Sequence, residues 1–158
     1  MQIQILCVGK IKDSFLREGI AEFEKRIRPY AHLTITELAE VKIPQGASPS
    51  EENMVREKEG VLLFESISDG SLPVVLDVSS PLVSSEEFAK IIGNAKNGGK
   101  NICFIIGGPL GFSDSFLANI KQKVSFSRLT FTHTMFRLIL FEQIYRAFRI
   151  LNGEPYHK

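Results

Sequence analysis

The residues best suited to chemistry lie late in the chain. Gly107 and Gly108 follow directly on an apolar run within Asn101 to Phe112, NICFIIGGPLGF. Two positions without side chains at the carboxyl end of a strand let the backbone turn sharply and let a ligand lie against bare N–H and C=O groups. The same pair also serves a plain βα turn that Gly111 would end. Arg137 stands among the apolar residues of the last predicted helix. A charge there must meet a carboxylate, helix-terminal carbonyls or a phosphate, because burying it alone would cost several kcal/mol. The chain ends in Pro155, Tyr156, His157 and Lys158. A stiffener, an aromatic, a group titrating near neutrality and a cation suit a nucleobase and its phosphate, although terminal segments commonly fray.

Alternating elements must position these residues. Ile3 to Val8 reads as a first strand that Gly9 breaks. Asp13 can cap a helix carrying Leu16, Ile20, Phe23 and Ile27, which Pro29 stops. Leu33 to Leu38 is a weaker second strand. Ser48, Pro49 and Glu51 form a capping box with proline at the first helical position, opening a helix to about Ile67. Val74 to Val78 is a third strand, and Ser84 with Glu87 caps a helix that ends at Asn97, Gly98 and Gly99. Ile102 to Ile106 reads as a strand buried on both faces. A short helix from Ser113 or Asp114 to about Lys123, a fifth alternating strand over Ser125 to Phe131 and a helix from about Thr134 to Leu151 complete the chain. The pattern predicts a single α/β domain over residues 1–158, with a mostly parallel sheet of five to six strands and helices on both faces. The apolar arc of the last helix is wide enough to predict a homodimer interface as well.

Composition narrows the function classes. With 158 residues, 44% hydrophobic and 23% charged, the sequence reads as a globular protein of one core. No apolar segment reaches the roughly 20 residues of a membrane helix, and the N-terminus lacks the basic lead of a signal peptide, so no membrane is expected. Cys7 and Cys103 are lone residues in apolar strands, expected as small buried hydrophobes in a reducing cytoplasm. No metal-ligand spacing is present, and no metal is expected. The net charge of +1 divides unevenly: residues 119–158 hold seven basic and two acidic residues, and residues 1–118 hold twelve and sixteen. A polyanionic partner at the basic end fits that split. The first βα turn, VGKIKDS, has no G-x-G-x-x-G, and the chain has no G-x-x-x-x-G-K-[ST], so dinucleotide and P-loop sites are not indicated.

The segments IGGPLGF, SFSRLTFTH, MFRLILFEQIYRAFRILNGEPYHK and the opening ILCVGKIK together closely resemble the ribosomal RNA large-subunit methyltransferase H family, small members of the SPOUT methyltransferases. The resemblance runs over the whole chain. It implies a C-terminal trefoil knot, which generic chain rules argue against. It implies methyl transfer from S-adenosyl-L-methionine to N3 of a pseudouridine in large-subunit (23S) ribosomal RNA, by a cytoplasmic homodimer acting on assembled ribosomes. The family's cofactor contacts fall on Leu76, Gly108, Ser127, Arg128, Leu129, Thr130, Phe131 and Thr132, with Gly107 beside them. His157 becomes the candidate for assisting proton loss, Tyr156 for stacking on or hydrogen-bonding the base, and Arg137 for ordering the site or contacting RNA. Lys158 would hold phosphate, and His133 is a substrate-side candidate with a structural role as its alternative. The sequence departs from the family pattern at Thr132, where proline commonly precedes the histidine, and at Leu110, where a small or polar residue is frequent. The rival class is a noncatalytic RNA- or ribosome-binding module that retains the cofactor pocket.

Overall fold

The computed structural model describes residues 1–156. Its strands are β1 (Gln2–Val8), β2 (His32–Leu38), β3 (Leu72–Leu76), β4 (Ile102–Ile106) and β5 (Gln122–Val124). They form one sheet in the order β2-β1-β4-β3-β5, with every neighbouring pair parallel. The central pair, β1 and β4, registers Ile3 against Ile102 and Cys7 against Ile106. All of β4 is buried, as its unbroken apolar run predicts, whereas β2 at the edge alternates between exposed and half-buried residues.

The helices are α1 (Ser14–Ile27), α2 (Pro49–Glu65), α3 (Ser85–Asn97), α4 (Asp114–Asn119) and α5 (His133–Leu151). They cover both faces. Ile20 and Ile27 of α1, Phe88 and Ile92 of α3 and Phe141 and Phe148 of α5 pack on Ile5, Cys7, Val74 and Phe104. Leu63 of α2 with Phe116 and Ile120 in and after α4 packs on Leu6, Val8, Val75 and Ile105. The strand period of two sorts alternate residues of β1 to opposite cores. Both predicted capping boxes form: Ser48 and Glu51 exchange hydrogen bonds at the start of α2, and Ser84 and Glu87 do so at α3. Asp13 stands at the N-cap of α1 without a side-chain bond there. Burial raises the thiol pKa of Cys7 to about 11 and that of Cys103 to about 12, so both behave as small hydrophobes.

Two strand bounds need correction, and the third strand is Leu72–Leu76 in place of Val74 to Val78. The fifth strand is not Ser125 to Phe131 but Gln122–Val124, and α4 stops at Asn119 to make room for it. Local serine bonding ends the strand: Ser125 Oγ donates to Ser127 O at 2.8 Å and Ser127 Oγ accepts from Leu129 N–H at 2.9 Å, which bends the chain. The wide apolar arc of α5 is also used within the chain, between the sheet, α1 and α3. Phe136, Leu138, Ile139 and Tyr145 remain half-buried and Leu151 exposed on the same helix.

Phe104 of β4 is fully buried against Phe88. Phe104→Ala should cost about 3–5 kcal/mol in chemical denaturation. An unchanged midpoint would contradict the buried central strand.

Candidate active site at the carboxyl rim

In the strand order β2-β1-β4-β3-β5, β1 connects to β2 on one side and β4 connects to β5 on the other. A crevice opens where neighbouring parallel strands send their chains apart, here between the carboxyl ends of β1 and β4. Gly9 ends β1 with φ +84°, and Gly107 and Gly108 follow β4. Both glycines of the pair are buried. A side-chain carbon on Gly107 would lie 3.2 Å from the Phe112 ring, and one on Gly108 would lie 2.8 Å from Glu59 Oε2 and 3.2 Å from Val8 Cγ1. The chain's own packing thus leaves little room for a side chain at either position before any ligand arrives. Gly111 closes the loop by donating its N–H to Gly108 O at 3.0 Å.

Residues 125–132 run along this rim. Ser125 lies beyond β5 at one edge, whereas His133, the first residue of α5, stands near Gly9 at the end of β1. The intervening strap must therefore pass the ends of β3 and β4, a span of roughly 14 Å at about 4.8 Å per strand, well within reach of eight residues. It is pinned at its start: Ser125 N–H donates to Pro81 O at 2.8 Å, and Arg128 Nη1 donates to Val78 O at 3.0 Å and Ser80 O at 3.1 Å. Leu76 ends β3 immediately before that turn. Leu129 is 71% exposed, and Val78, Leu82 and Phe131 are exposed as well, leaving apolar surface beside main-chain polar groups. Thr132 accepts from Met135 N–H at 3.3 Å as the N-cap of α5. The departure from the family's proline therefore supplies a helix cap.

Arg137 answers the question that its position poses. It is 1% exposed, with Nη1 donating to Glu37 Oε1 at 2.7 Å and Nη2 to Val8 O and Gly9 O, each at 2.7 Å. Carboxylate and strand-end carbonyls together hold it, so its guanidinium faces protein. His133 Nε2 lies 3.5 Å from Glu40 Oε1. Burial, aided by the charge of Arg137, still draws the His133 pKa below its usual value against the pull of Glu40. Glu59 went unnoticed in the sequence. Its signal was an acid between Val55 and Leu63 at four-residue spacing, a polar interruption of an apolar stripe like that of Arg137.

Tyr156 lies elsewhere. Tyr156 donates from its hydroxyl to Glu142 Oε1 at 3.1 Å, meets Tyr145 edge-on at 5.0 Å and lies under the Arg146 guanidinium at 4.9 Å. Glu142 is about 13 Å along α5 from His133 at roughly 1.5 Å per residue, so Tyr156 is not at the rim of its own chain. His157 and Lys158 fall outside the described residues. A cleft of about 440 Å³, floored by Ile5, Ile20, Ile35 and Phe141 and bordered by Lys10, Arg17 and Arg137, lies beside β1 and β2 and does not include the glycine pair or the strap.

Arg137→Ala should destabilise the fold by about 3–5 kcal/mol, since it leaves Glu37 without its counter-charge and two strand-end carbonyls without their side-chain donor. Denaturant titration reads this, and an unchanged stability would show that the strap's far end is held otherwise.

Residues 1–157 match the family described as "Predicted SPOUT methyltransferase". A full-length relative from Methanocorpusculum labreanum, named "Putative ribosomal RNA large subunit methyltransferase H", is 59% identical over 158 residues, covering 100% of both chains. A ribosomal RNA large subunit methyltransferase H from Clostridium botulinum strain Kyoto is 48% identical over 159 residues, again covering 100% of both. Among solved structures, a probable methylase family protein from Haemophilus influenzae superposes with a TM-score of 0.58 at 14% identity, over 99% of this chain and 70% of that one, a likeness of fold. An all-parallel sheet with a strap along its carboxyl rim and a family match that runs from Met1 to His157 place this chain in the SPOUT methyltransferase family.

Proposed function

We propose that the protein transfers a methyl group from S-adenosyl-L-methionine to N3 of a pseudouridine in large-subunit ribosomal RNA, acting in the cytoplasm on assembled ribosomes as a homodimer. The observation that carries this reading is full-length identity of 48–59% to relatives named for ribosomal RNA methylation. The rim suits such a donor. Leu129, Leu82 and Val78 offer exposed apolar surface for a purine, and the strap and glycine loop offer main-chain N–H and C=O groups beside it. Glu59 Oε2, buried without a partner, offers a negative charge toward a ligand that carries positive ones.

The donor supplies an electrophilic methyl carbon on a positively charged sulfur. The protein's part is to align the base nitrogen with that carbon and to help the imino proton leave. The new N–C bond forms as the S–C bond breaks, a neutral thioether departs, and the proton passes to a base. Alignment can supply roughly 7–11 kcal/mol of barrier reduction, against about 10²–10⁴-fold from a general base, so positioning dominates. Leu76, Gly107, Gly108 and the strap residues Ser127, Arg128, Leu129, Thr130, Phe131 and Thr132 would bind the donor, with Arg128 holding the strap against the β3 turn. His157 would accept the proton, Tyr156 would contact the base, and Lys158 would take a phosphate. Arg137 orders the far end of the strap, and His133 stands beside it.

Two structural features favour the homodimer and the knot. Tyr156 lies midway along α5, away from its own glycine loop, so the tail is disposed to complete the site of a second copy. The strap leaves one sheet edge and returns to β1 past the ends of two intervening strands, a course suited to threading through a loop.

Ribosomes from cells lacking the gene, incubated with the protein and label-bearing donor, should gain one methyl group at N3 of a pseudouridine by nucleotide mass mapping. Methylation of another nucleotide, or of none, would contradict the proposal. Removing Tyr156 to Lys158 should abolish methylation while leaving donor affinity within about twofold, since terminal residues outside the core rarely support the fold. Full activity of the truncated protein would refute the tail's role.

A further inference from the structure

Glu59 lies on the face of α2 turned toward the sheet and is 3% exposed. Oε1 accepts from Val41 N–H at 3.1 Å, whereas Oε2 has no hydrogen-bond partner. That oxygen points at the glycine loop, so close that a carbon on Gly108 would lie 2.8 Å from it. Only a hydrogen of Gly108 separates the main chain of the loop from an uncompensated carboxylate. Among the described residues, no cation is named as acting on it. Glu40, the charged group that acts on Glu59, is also an acid, and Glu40 itself meets His133. Arg137 is engaged by Glu37 and the carbonyls of β1. Burial and then the charge of Glu40 raise the Glu59 pKa against the Val41 hydrogen bond, as expected for an acid that lacks its counter-charge. A buried charge without a partner is costly, and a bound cation at the same crevice removes that cost.

We propose that Glu59 is an anionic anchor for the positively charged end of the methyl donor, acting across Gly108 on a cation bound at the rim. The inference rests on donor binding at that rim and adds to it the residue that selects for charge. S-adenosyl-L-methionine has two cationic groups, the sulfonium and the α-ammonium, and either could be drawn to this carboxylate. Glycine at 108 then serves twice, since a side chain there would crowd Glu59 and Val8 and would also hold the ligand's charge away from Glu59. Glu59 takes no part in bond making; it is a binding and positioning residue.

Calorimetry with three ligands tests this on the wild-type protein and on Glu59→Gln, which keeps the shape and an acceptor for Val41. S-adenosyl-L-methionine has both cations, S-adenosyl-L-homocysteine only the ammonium, and 5′-methylthioadenosine neither. The variant should bind S-adenosyl-L-methionine about tenfold more weakly and 5′-methylthioadenosine within about twofold of wild type, because only the charged ligand loses a close Coulomb partner. S-adenosyl-L-homocysteine weakening with the first ligand assigns the anchor to the ammonium; its following the last assigns it to the sulfonium. Equal weakening of all three, or no change in any, would overturn the proposal. Absence of S-adenosyl-L-methionine binding by the wild-type protein would instead overturn the donor-site reading, and the anchor with it. A second measurement needs no variant. The wild-type Glu59 carboxyl carbon resonance should titrate at lower pH with S-adenosyl-L-methionine bound and be unmoved by 5′-methylthioadenosine, with Glu40 and His133 followed by their own resonances. An unshifted midpoint in both complexes would overturn the anchor.

Discussion

A guanidinium buried to 1% exposure holds the first turns of the last helix on the end of the first strand. Arg137 gives β1 two donors for carbonyls that have run out of sheet partners and gives β2 a counter-charge for Glu37. Such a bond set is strong because the guanidinium and the two strand-end carbonyls would otherwise be left desolvated and unpaired, at roughly 1–3 kcal/mol for each orphaned group. Its consequence reaches beyond the helix. The strap from 125 to 132 is anchored at its start by Arg128 on the carbonyls of Val78 and Ser80, and at its end by Arg137. One irregular segment is thereby stretched past the ends of β3 and β4, beside Gly107 and Gly108. A rim made largely of main chain needs that kind of external bracing, since the strap has few ladder bonds of its own.

Much of the fold was legible in the sequence because it follows from local rules. The unbroken apolar run of β4, the two capping boxes at Ser48 and Ser84 and the alternation of strands with helices each report on interactions within a few residues. The register of β5 was not legible. Ser125 to Phe131 alternates like a strand, but Ser125 and Ser127 bond to the main chain nearby and turn it, and the actual strand lies just before, at Gln122–Val124. The wide arc of α5 suggested surface to spare. Packing against both α1 and α3 uses much of it, which only the tertiary arrangement shows.

The candidate site divides in the same way. Its location followed from the general placement of ligands at the carboxyl ends of parallel strands, and the glycine pair marked which strand. Why those glycines are needed was not legible. Their missing side chains make room for Phe112, Val8 and Glu59, contacts between residues far apart in sequence. Arg137 was recognisable as a charge in need of partners, but which partners depended on β1 and β2 lying beneath it. Tyr156 packs on Glu142, Tyr145 and Arg146 of the preceding helix, apart from the rim of its own chain, and neither neighbour was legible from the tail's composition.

The proposed methyl-donor site is the rim, and not the cleft beside β1 and β2. Amide-resolved NMR during titration with S-adenosyl-L-methionine measures this directly. The largest shifts should fall on Gly107, Gly108 and residues 127–132, with Arg17, Ile20 and Ile35 at the cleft nearly still. Shifts concentrated at the cleft, with the glycine pair and the strap silent, would contradict it.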